Sequence, residues 1–166
     1  MSDSLVIMGV AGCGKSSLGA SMARALDMTL IEGDDFHSPA NLAKMNQGNA
    51  LTDADREGWL GRLSDQLQAQ PDGVVLTCSA LKHAYRERLR KAAPGLRFVF
   101  LEISRQQAEA RVANRAGQHF FSISLVDSQF ATLEVPTGEP DVLTVDALKP
   151  LSQLQTEVSA WLTQFK

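Results

Sequence analysis

The residues with the clearest chemistry occupy positions 9 to 16, where the chain reads Gly-Val-Ala-Gly-Cys-Gly-Lys-Ser. This spacing, G-x-x-x-x-G-K-S, lies between an apolar run, Ser4 to Met8, and a helical pattern, Lys15 to Leu26. Glycines let the backbone bend so that its N–H groups point at phosphate oxygens, and the start of the following helix adds partial positive charge. The segment therefore predicts a P-loop, and a glycine-rich turn with a chance lysine is a much weaker interpretation.

A loop of this kind holds a nucleoside triphosphate, and each residue type has a use there. We expect Lys15 to place its charge against the β- and γ-phosphates of ATP, and the Ser16 hydroxyl to bind Mg²⁺. Cys13 is interpreted as a small residue that fits the loop, with an oxidisable thiol as the alternative. The predicted ATP-binding residues of the loop are Gly9, Gly12, Cys13, Gly14, Lys15, Ser16 and Ser17.

A P-loop by itself does not separate kinases from GTPase switches and pumps. Asp55 to Gly58 matches the D-x-x-G pattern of GTPases. It lies at the start of a helical stretch instead of after a strand, and no N-K-x-D sequence follows it. The GTPase interpretation is therefore weaker than phosphotransfer to a small molecule.

Acidic side chains follow the second predicted strand, Met28 to Ile31, in the sequence Glu-Gly-Asp-Asp-Phe-His at positions 32–37. A carboxylate beside a P-loop can accept the proton of an attacking hydroxyl and orient it, and we assign this catalytic role to Asp34. We expect Glu32 to hold Mg²⁺, either directly or through water. His37 is predicted to contact the substrate, with packing as the alternative.

Three basic residues farther along the chain are candidates for binding an anionic acceptor. The guanidinium of Arg56 suits bidentate capture of a carboxylate, although a surface ion pair with Asp53 or Glu57 would also explain it. Lys82 and Arg86 are four residues apart on a predicted helix and would share one face. We expect that face to meet the transferring phosphoryl group or the acceptor carboxylate, with a solvated basic face as the alternative.

Arg111 and Arg115, also four residues apart, precede a polar hinge at Gly117. Arginines on a closing lid can neutralise charge on the γ-phosphate, and closure excludes water that would hydrolyse ATP. Stacking on adenine is the alternative role for either arginine. We therefore predict both as ATP contacts and Arg115 as a catalytic residue.

These residues need a scaffold that brings distant segments together. Strand-like and helix-like segments alternate, which predicts a three-layer α/β fold: a five-stranded parallel sheet with helices on both faces. Such a sheet places all strand carboxyl ends at one edge, where ligands bind. The predicted strands are Ser4 to Met8, Met28 to Ile31, Val74 to Thr77, Leu96 to Ile103 and Val142 to Val145. The predicted helices are Lys15 to Leu26, Ser38 to Gln47, Asp53 to Gln70, Lys82 to Ala92, Gln106 to Arg115, Ser122 to Leu133 and Leu151 to Phe165.

The length of 166 residues fits one domain, and the net charge of -3 argues against broad nucleic-acid binding. No apolar run approaches the roughly 20 residues of a membrane span, and the N-terminus does not resemble a secretion signal. Cys13 and Cys78 fit neither a zinc site nor a disulfide framework. These features favour the reducing cytoplasm, with neither nucleic acid nor a membrane as partner.

Longer stretches resemble a known family. Gly33 to Leu60, GDDFHSPANLAKMNQGNALTDADREGWL, is similar to the gluconokinase signature GD-x-x-H-x-x-x-N-x-x-K-M-x-x-G-x-P-L-x-D-x-D-R-x-P-W-L. Cys78 to Arg90, CSALKHAYRERLR, resembles the C-S-A-L-K-x-x-Y-R-x-x-L-R of the same family. His119 to Phe121 and Ser128 to Phe130 resemble its lid and the helix that follows. The resemblance runs nearly from end to end.

This resemblance implies a shikimate-kinase-like P-loop kinase fold over one domain, residues 1–166, with a helical acceptor insertion at about 33–70 and a mobile lid at about 115–123. It implies ATP and Mg²⁺ as cofactors, D-gluconate as acceptor, 6-phosphogluconate as product, and a homodimer. The substrate-binding residues it supports are Asp34, His37, Arg56, Lys82, Arg86 and His119.

The chain departs from the family pattern at a few positions. Ala50 and Gly58 stand where prolines are usual, Val135 where a second glutamate is common, and Glu32 where aspartate is frequent. The two proline changes predict looser loops around the acceptor helix. Two other functions remain as alternatives: a different small-molecule kinase such as a shikimate kinase, and a non-catalytic ATP-binding regulator.

Overall fold

A computed structural model describes residues 3–114 and 123–165 of the chain. Within them, five strands form one parallel sheet in the order β2-β3-β1-β4-β5. The strands are β1 (Leu5–Met8), β2 (Thr29–Glu32), β3 (Val74–Thr77), β4 (Arg97–Glu102) and β5 (Val142–Asp146). The helices are α1 (Lys15–Leu26), α2 (Pro39–Asn46), α3 (Asp53–Ala69), α4 (His83–Ala92), α5 (Arg105–Asn114), α6 (Ile123–Thr132) and α7 (Leu151–Leu162), with short 3₁₀ helices at Gly33–Phe36 and Thr163–Phe165.

Helices cover both faces of the sheet. Every residue of β1 and β3 is buried, although successive side chains of a strand point to opposite faces. Continuous burial of this kind requires packing on both sides. Helix α1 packs against α7 and β3, whereas α3 packs against α4. The predicted three-layer α/β architecture with a five-stranded parallel sheet is confirmed.

The helices α2 and α3 begin at side-chain caps, close to the starts of the two helices predicted there. Ser38 Oγ accepts a hydrogen bond from the Asn41 N–H at 3.1 Å, and Pro39 occupies the first helical position. The Thr52 hydroxyl accepts from the Asp55 N–H at 3.1 Å, while the Asp55 carboxylate accepts from the Thr52 N–H at 2.8 Å. This reciprocal capping box fixes the start of α3 and therefore the direction of its first-turn side chains.

The carboxyl ends of β2 and β3 lie side by side, because Glu32 pairs with Thr77 in the strand register. Directly afterwards, Gly33 passes so close to β3 that an added Cβ atom would lie 2.2 Å from the Thr77 carbonyl oxygen. Glycine fits this approach because it has no Cβ. The 3₁₀ helix Gly33–Phe36 follows and carries the acidic segment away from the sheet edge.

Gly58 lies inside α3 and not in a loop, so the prediction that its departure from proline loosens a loop is wrong. Its backbone is exposed, and a Cβ added there would meet nothing within 4 Å. Glycine in a helix interior costs conformational entropy without any compensating contact here. Ala50 does lie in the connection between α2 and α3.

Replacing Gly33 and Gly58 by alanine should change the free energy of unfolding in opposite directions. Gly33→Ala is expected to lower it by about 2–3 kcal/mol, because the new methyl group overlaps the Thr77 carbonyl. Gly58→Ala is expected to raise it by about 0.5–1 kcal/mol, because alanine loses less backbone entropy in a helix. Urea unfolding of both variants measures the two changes. An unchanged or higher free energy of unfolding in Gly33→Ala would contradict the close approach at position 33.

Candidate functional site

The segment after β1 folds as the predicted P-loop. Gly9, Gly12 and Gly14 have φ angles of +148°, +83° and +97°, a region that favours glycine. A Cβ on Gly12 would lie 2.9 Å from the Ala108 carbonyl oxygen, so the loop packs directly against α5. Gly14 is the N-cap of α1. The backbone N–H groups of the loop therefore run into a helix N-terminus, the arrangement that binds phosphate.

Lys15 lies at the first position of α1 and bends back over the loop. Its Nζ donates to the Gly9 carbonyl at 3.0 Å and to the Val10 carbonyl at 3.1 Å. The thiol of Cys13 is buried in the same loop, with 1% of the residue exposed. This burial supports the interpretation of Cys13 as a small packing residue.

Arg111 reaches the loop from α5. One terminal nitrogen donates to the Gly12 and Cys13 carbonyls at 3.2 and 3.3 Å, and the other donates to the Ala147 carbonyl at 3.0 Å. Arg111 therefore ties the loop to the segment after β5, on the nucleotide side of the predicted site. Its predicted partner Arg115 lies outside the described residues, as do His119 and most of the predicted lid.

A carboxylate from β2 meets hydroxyl groups from two other elements. Ser16 Oγ, at the start of α1, donates to Glu32 Oε2 at 3.1 Å, and Thr77 Oγ1, at the end of β3, donates to the same oxygen at 2.6 Å. The structure thus brings the two predicted Mg²⁺ residues together. It adds Thr77, which the sequence analysis missed, although a hydroxyl at the end of an apolar strand was an available signal.

A pocket lies next to these groups at the carboxyl edge of the sheet. It is lined by Lys15, Asp34, His37, Met45, Ala50, Leu51, Arg56, Trp59, Ser79, Leu125, Ser128 and Gln129. Four residues predicted from the sequence to act in catalysis or substrate binding therefore surround one space, although up to 41 positions separate them in the chain (Lys15 and Arg56).

His37 is held in one orientation inside this pocket. Its ring stacks on Trp59, with centroids 4.4 Å apart and planes inclined by 15°. Asn41 Nδ2 donates to the Asp55 carbonyl at 2.9 Å, which fixes the amide orientation, and lies 3.5 Å from His37 Nδ1. Since an amide nitrogen only donates, Nδ1 accepts. The proton of the neutral ring then lies on Nε2, which is 3.7 Å from Asp34 Oδ1.

Arg56 is buried, with 8% of the residue exposed. The two carboxylates proposed as its surface partners are engaged elsewhere: Asp53 pairs with Lys82 at 2.9 Å, and Glu57 pairs with Arg88 at 2.7 Å. Across residues 3–114 and 123–165, Arg56 forms no ion pair with a carboxylate. The structure therefore rejects the surface-pair alternative. A buried guanidinium without such a partner is suited to an anionic ligand.

The chain is similar to known proteins along most of its length. A family model described as an AAA domain matches residues 5–136. A gluconokinase of Gluconobacter oxydans (strain 621H) is 45% identical over 148 residues, covering 87% of this chain and 83% of that protein. The thermosensitive gluconokinase of Escherichia coli (strain K12) is 40% identical over 148 residues, covering 87% of this chain and 79% of that protein. The chain belongs to the gluconokinase family.

Three-dimensional similarity agrees with this assignment. The crystal structure of a gluconokinase from Sinorhizobium meliloti 1021 matches with a TM-score of 0.89 and 44% sequence identity, covering 98% of this chain and 92% of that chain. The family resemblance and the P-loop kinase fold predicted from the sequence are confirmed.

One predicted acceptor contact of this gluconokinase-family chain lies in the core instead. Arg86 has 0% of its surface exposed and donates to the carbonyls of Ala80 at 2.7 Å and Glu134 at 2.8 Å, and to the Glu139 carboxylate at 2.6 Å. Burial would raise the pKa of Glu139, but hydrogen bonds from Arg86 and Arg90 outweigh it and lower that pKa to about 2. Arg86 therefore anchors the segment between α6 and β5 and does not line the pocket.

Lys82 also lies off the predicted position. Helix α4 begins at His83, so Lys82 is its N-cap and lies one position before the helix. The Glu134 carboxylate caps the start of this helix, because its Oε1 accepts from the His83 N–H at 2.8 Å. Lys82 Nζ pairs with Asp53 and does not line the pocket.

Helix α6 supplies pocket residues to which the sequence analysis gave no role. Gln129 Oε1 accepts from the Ala11 N–H of the P-loop at 2.7 Å. Leu125 packs with Met45 and Leu51, which joins α6 to the predicted acceptor insertion. The resemblance of this helix to the one after the family's lid was the signal available, since spacing alone does not show which helix returns to the loop.

The surroundings of His37 are expected to lower the pKa of its ring below the ordinary value. Burial lowers the pKa of His37 from its ordinary value of 6.5, while Asp34 opposes the shift and Arg56 adds to it. The unfolded chain then binds this proton more readily, so His37 should lower the free energy of unfolding as the pH falls below about 6.5.

An NMR titration of the His37 ring measures this pKa. We expect a midpoint below 6.5 in the wild type, and an upward move in Trp59→Leu, which uncovers the imidazole face. A wild-type midpoint above 6.5 would contradict the burial argument.

Proposed function

We propose that this chain transfers the γ-phosphoryl group of ATP to D-gluconate and releases 6-phospho-D-gluconate and ADP. The observation that carries the proposal is the buried Arg56 guanidinium, which has no carboxylate partner among the described residues and shares a pocket with Lys15 and Asp34. A fixed cation in the acceptor pocket suits a sugar acid better than a neutral sugar. The similar proteins of Gluconobacter oxydans and Escherichia coli are gluconokinases, which supports the same acceptor.

On the acceptor side, Arg56 binds the carboxylate of gluconate and Asp34 orients its terminal hydroxyl. As the hydroxyl oxygen bonds to the γ-phosphorus and the bond to the ADP oxygen breaks, the hydroxyl proton passes to the Asp34 carboxylate. His37 presents its Nε2–H beside that carboxylate as a donor to the acceptor hydroxyls. Stacking on Trp59 keeps the ring in place.

On the donor side, the loop N–H groups bind phosphate and Lys15 adds a mobile charge. Its flexible stem lets Nζ leave the Gly9 and Val10 carbonyls for oxygens of the β- and γ-phosphates. Arg111 stands beside the loop as a nucleotide contact. Arg115, as the lid arginine over the transferring group, and His119, as an acceptor contact, are proposed on the family resemblance.

Mg²⁺ is the proposed companion of ATP, and the residues present fit it. Ser16 Oγ and Glu32 Oε2 are neighbouring hard oxygen donors beside the loop, and Thr77 holds the Glu32 carboxylate in place. Mg²⁺ in kinase sites takes few protein ligands and completes its shell with water and substrate phosphates. Ser16 would bind it directly and Glu32 directly or through water. The bound ion supplies charge that offsets the phosphate oxygens.

We further propose a homodimer in the cytoplasm, with a small molecule and neither nucleic acid nor a membrane as partner. The family resemblance supports the homodimer. Cys13 and Cys78 are both free and buried, which supports a reducing compartment. The net charge of -3 supports the absence of nucleic acid. None of the described helices is long and apolar enough to cross a membrane.

The test of the function is ADP release from Mg²⁺–ATP with gluconate, shikimate, glucose, glycerate or no acceptor. We expect release that depends on gluconate. In Arg56→Met, KM for gluconate should rise about 10–100-fold, because a charge-assisted contact worth about 1.5–3 kcal/mol is lost, while KM for ATP stays within about twofold.

Arg88→Met is the matched control, since it removes an exposed pair with Glu57 on the neighbouring surface. Its KM for gluconate should not change. Equal stimulation by every acceptor, or none by gluconate, would overturn the proposed function.

Asp34→Asn tests the base. The carboxamide keeps the shape of the side chain and cannot take up the hydroxyl proton, so kcat should fall about 10²–10⁴-fold. The dissociation constant of ATP, measured by calorimetry, should stay within about twofold because Asp34 lies on the acceptor side. Turnover at the wild-type rate would remove Asp34 from this role.

A further inference from the structure

The guanidinium of Arg56 is oriented by a side chain from a different helix. Its Nη1 donates to the Tyr85 hydroxyl at 3.2 Å, and its central carbon lies 5.6 Å from the centre of the Tyr85 ring. Arg56 comes from the first turns of α3 and Tyr85 from the first turn of α4. The contact between these helices therefore sets the direction of a residue that lines the acceptor pocket.

The hydrogen bonds around Tyr85 have one consistent direction. A guanidinium only donates, so the Tyr85 oxygen accepts from Arg56. The Tyr85 proton is then free for the Asp53 carboxylate, to which the hydroxyl donates in a short hydrogen bond. Burial and this hydrogen bond raise the pKa of Tyr85, which keeps the hydroxyl protonated. Tyr85 thus separates Arg56 from Asp53, a carboxylate only three residues earlier on the same helix.

Lys82 neutralises the carboxylate at the far end of this chain of contacts. Its Nζ donates to both Asp53 oxygens, at 2.9 and 3.1 Å. Residues three apart on a helix are neighbours, so an unpaired Asp53 would attract the Arg56 guanidinium and compete with an anionic acceptor. With Lys82 in place, the negative charge of Asp53 is already balanced.

We infer that Lys82, Asp53 and Tyr85 form a positioning relay that keeps Arg56 free of protein carboxylates and aimed at the carboxylate of the acceptor. Lys82 acts through Asp53 and does not touch the acceptor. This inference rests on the proposed function, because it presumes that Arg56 binds the acceptor anion. It gives Lys82 a role that differs from direct substrate contact.

The deciding experiment compares Lys82→Met with the double variant Lys82→Met/Asp53→Asn. Lys82→Met releases the Asp53 charge toward Arg56, so KM for gluconate should rise about fivefold, with kcat and KM for ATP within about twofold. Adding Asp53→Asn removes the competing charge and leaves an oxygen for the Tyr85 hydroxyl. It should return KM for gluconate to within about twofold of wild type.

Two further variants separate positioning from general damage. Tyr85→Phe keeps the ring packing and loses both hydrogen bonds, so KM for gluconate should rise about threefold, while kcat and KM for ATP stay within about twofold of wild type. Arg88→Met, which cuts the other ion pair between α3 and α4, should leave KM for gluconate within about twofold of wild type.

The outcomes are distinct. If Lys82 contacted gluconate directly, Asp53→Asn would not rescue Lys82→Met, and the persistent high KM would overturn the relay. An unchanged KM for gluconate in both Lys82→Met and Tyr85→Phe would also overturn it, as would a rise in KM for ATP equal to that for gluconate. Failure of the proposed function looks different, because the wild type itself would then show no gluconate-dependent ADP release.

Discussion

The site depends on one constraint: three parallel strands end at the same edge of the sheet. β1 delivers the P-loop, β2 delivers Glu32, and β3 delivers Thr77 as the register neighbour of Glu32. The 2.6 Å hydrogen bond from Thr77 to Glu32 is a direct result of that pairing. A slip of one residue in β2 would turn Glu32 to the face of the sheet opposite Thr77, so the register and the chemistry are specified together. Gly33 allows the chain to leave this edge against the Thr77 carbonyl.

A second condition is the sorting of charge at the start of α3. The helix carries acidic and basic side chains within its first two turns, close enough to pair with each other. Asp53 and Glu57 instead pair with Lys82 and Arg88, which are cations from outside the helix. Arg56 is left buried and, within the described part of the chain, without a carboxylate partner. Helix α4 and its N-cap therefore influence the charge of the pocket without lining it.

Much of the scaffold and of the site could be predicted from the sequence. Apolar runs and helical spacing located the strands and helices, because burial acts on residues a few positions apart. The starts of α2 and α3 lie close to the predicted ones, because the caps at Ser38 and Thr52 are contacts within three residues. Arg86 could not be assigned in this way. Its place in the core depends on Glu139, 53 residues later, and no local spacing shows which carboxylate a buried guanidinium will meet.

By itself, the sequence determined the P-loop, the parallel α/β arrangement, and the types of polar and charged residue that follow the strands. These follow from local rules: glycine where the backbone must bend around phosphate, and alternation where strands need crossover helices. Only the tertiary structure decided which charges neutralise each other and which one remains available. That choice depends on distances between α3 and α4 and on the burial of Arg56, both of which arise from packing between segments that are remote in the chain. Coulombic and hydrogen-bonding preferences act over a few ångströms, so they can be evaluated only after folding has made those segments neighbours.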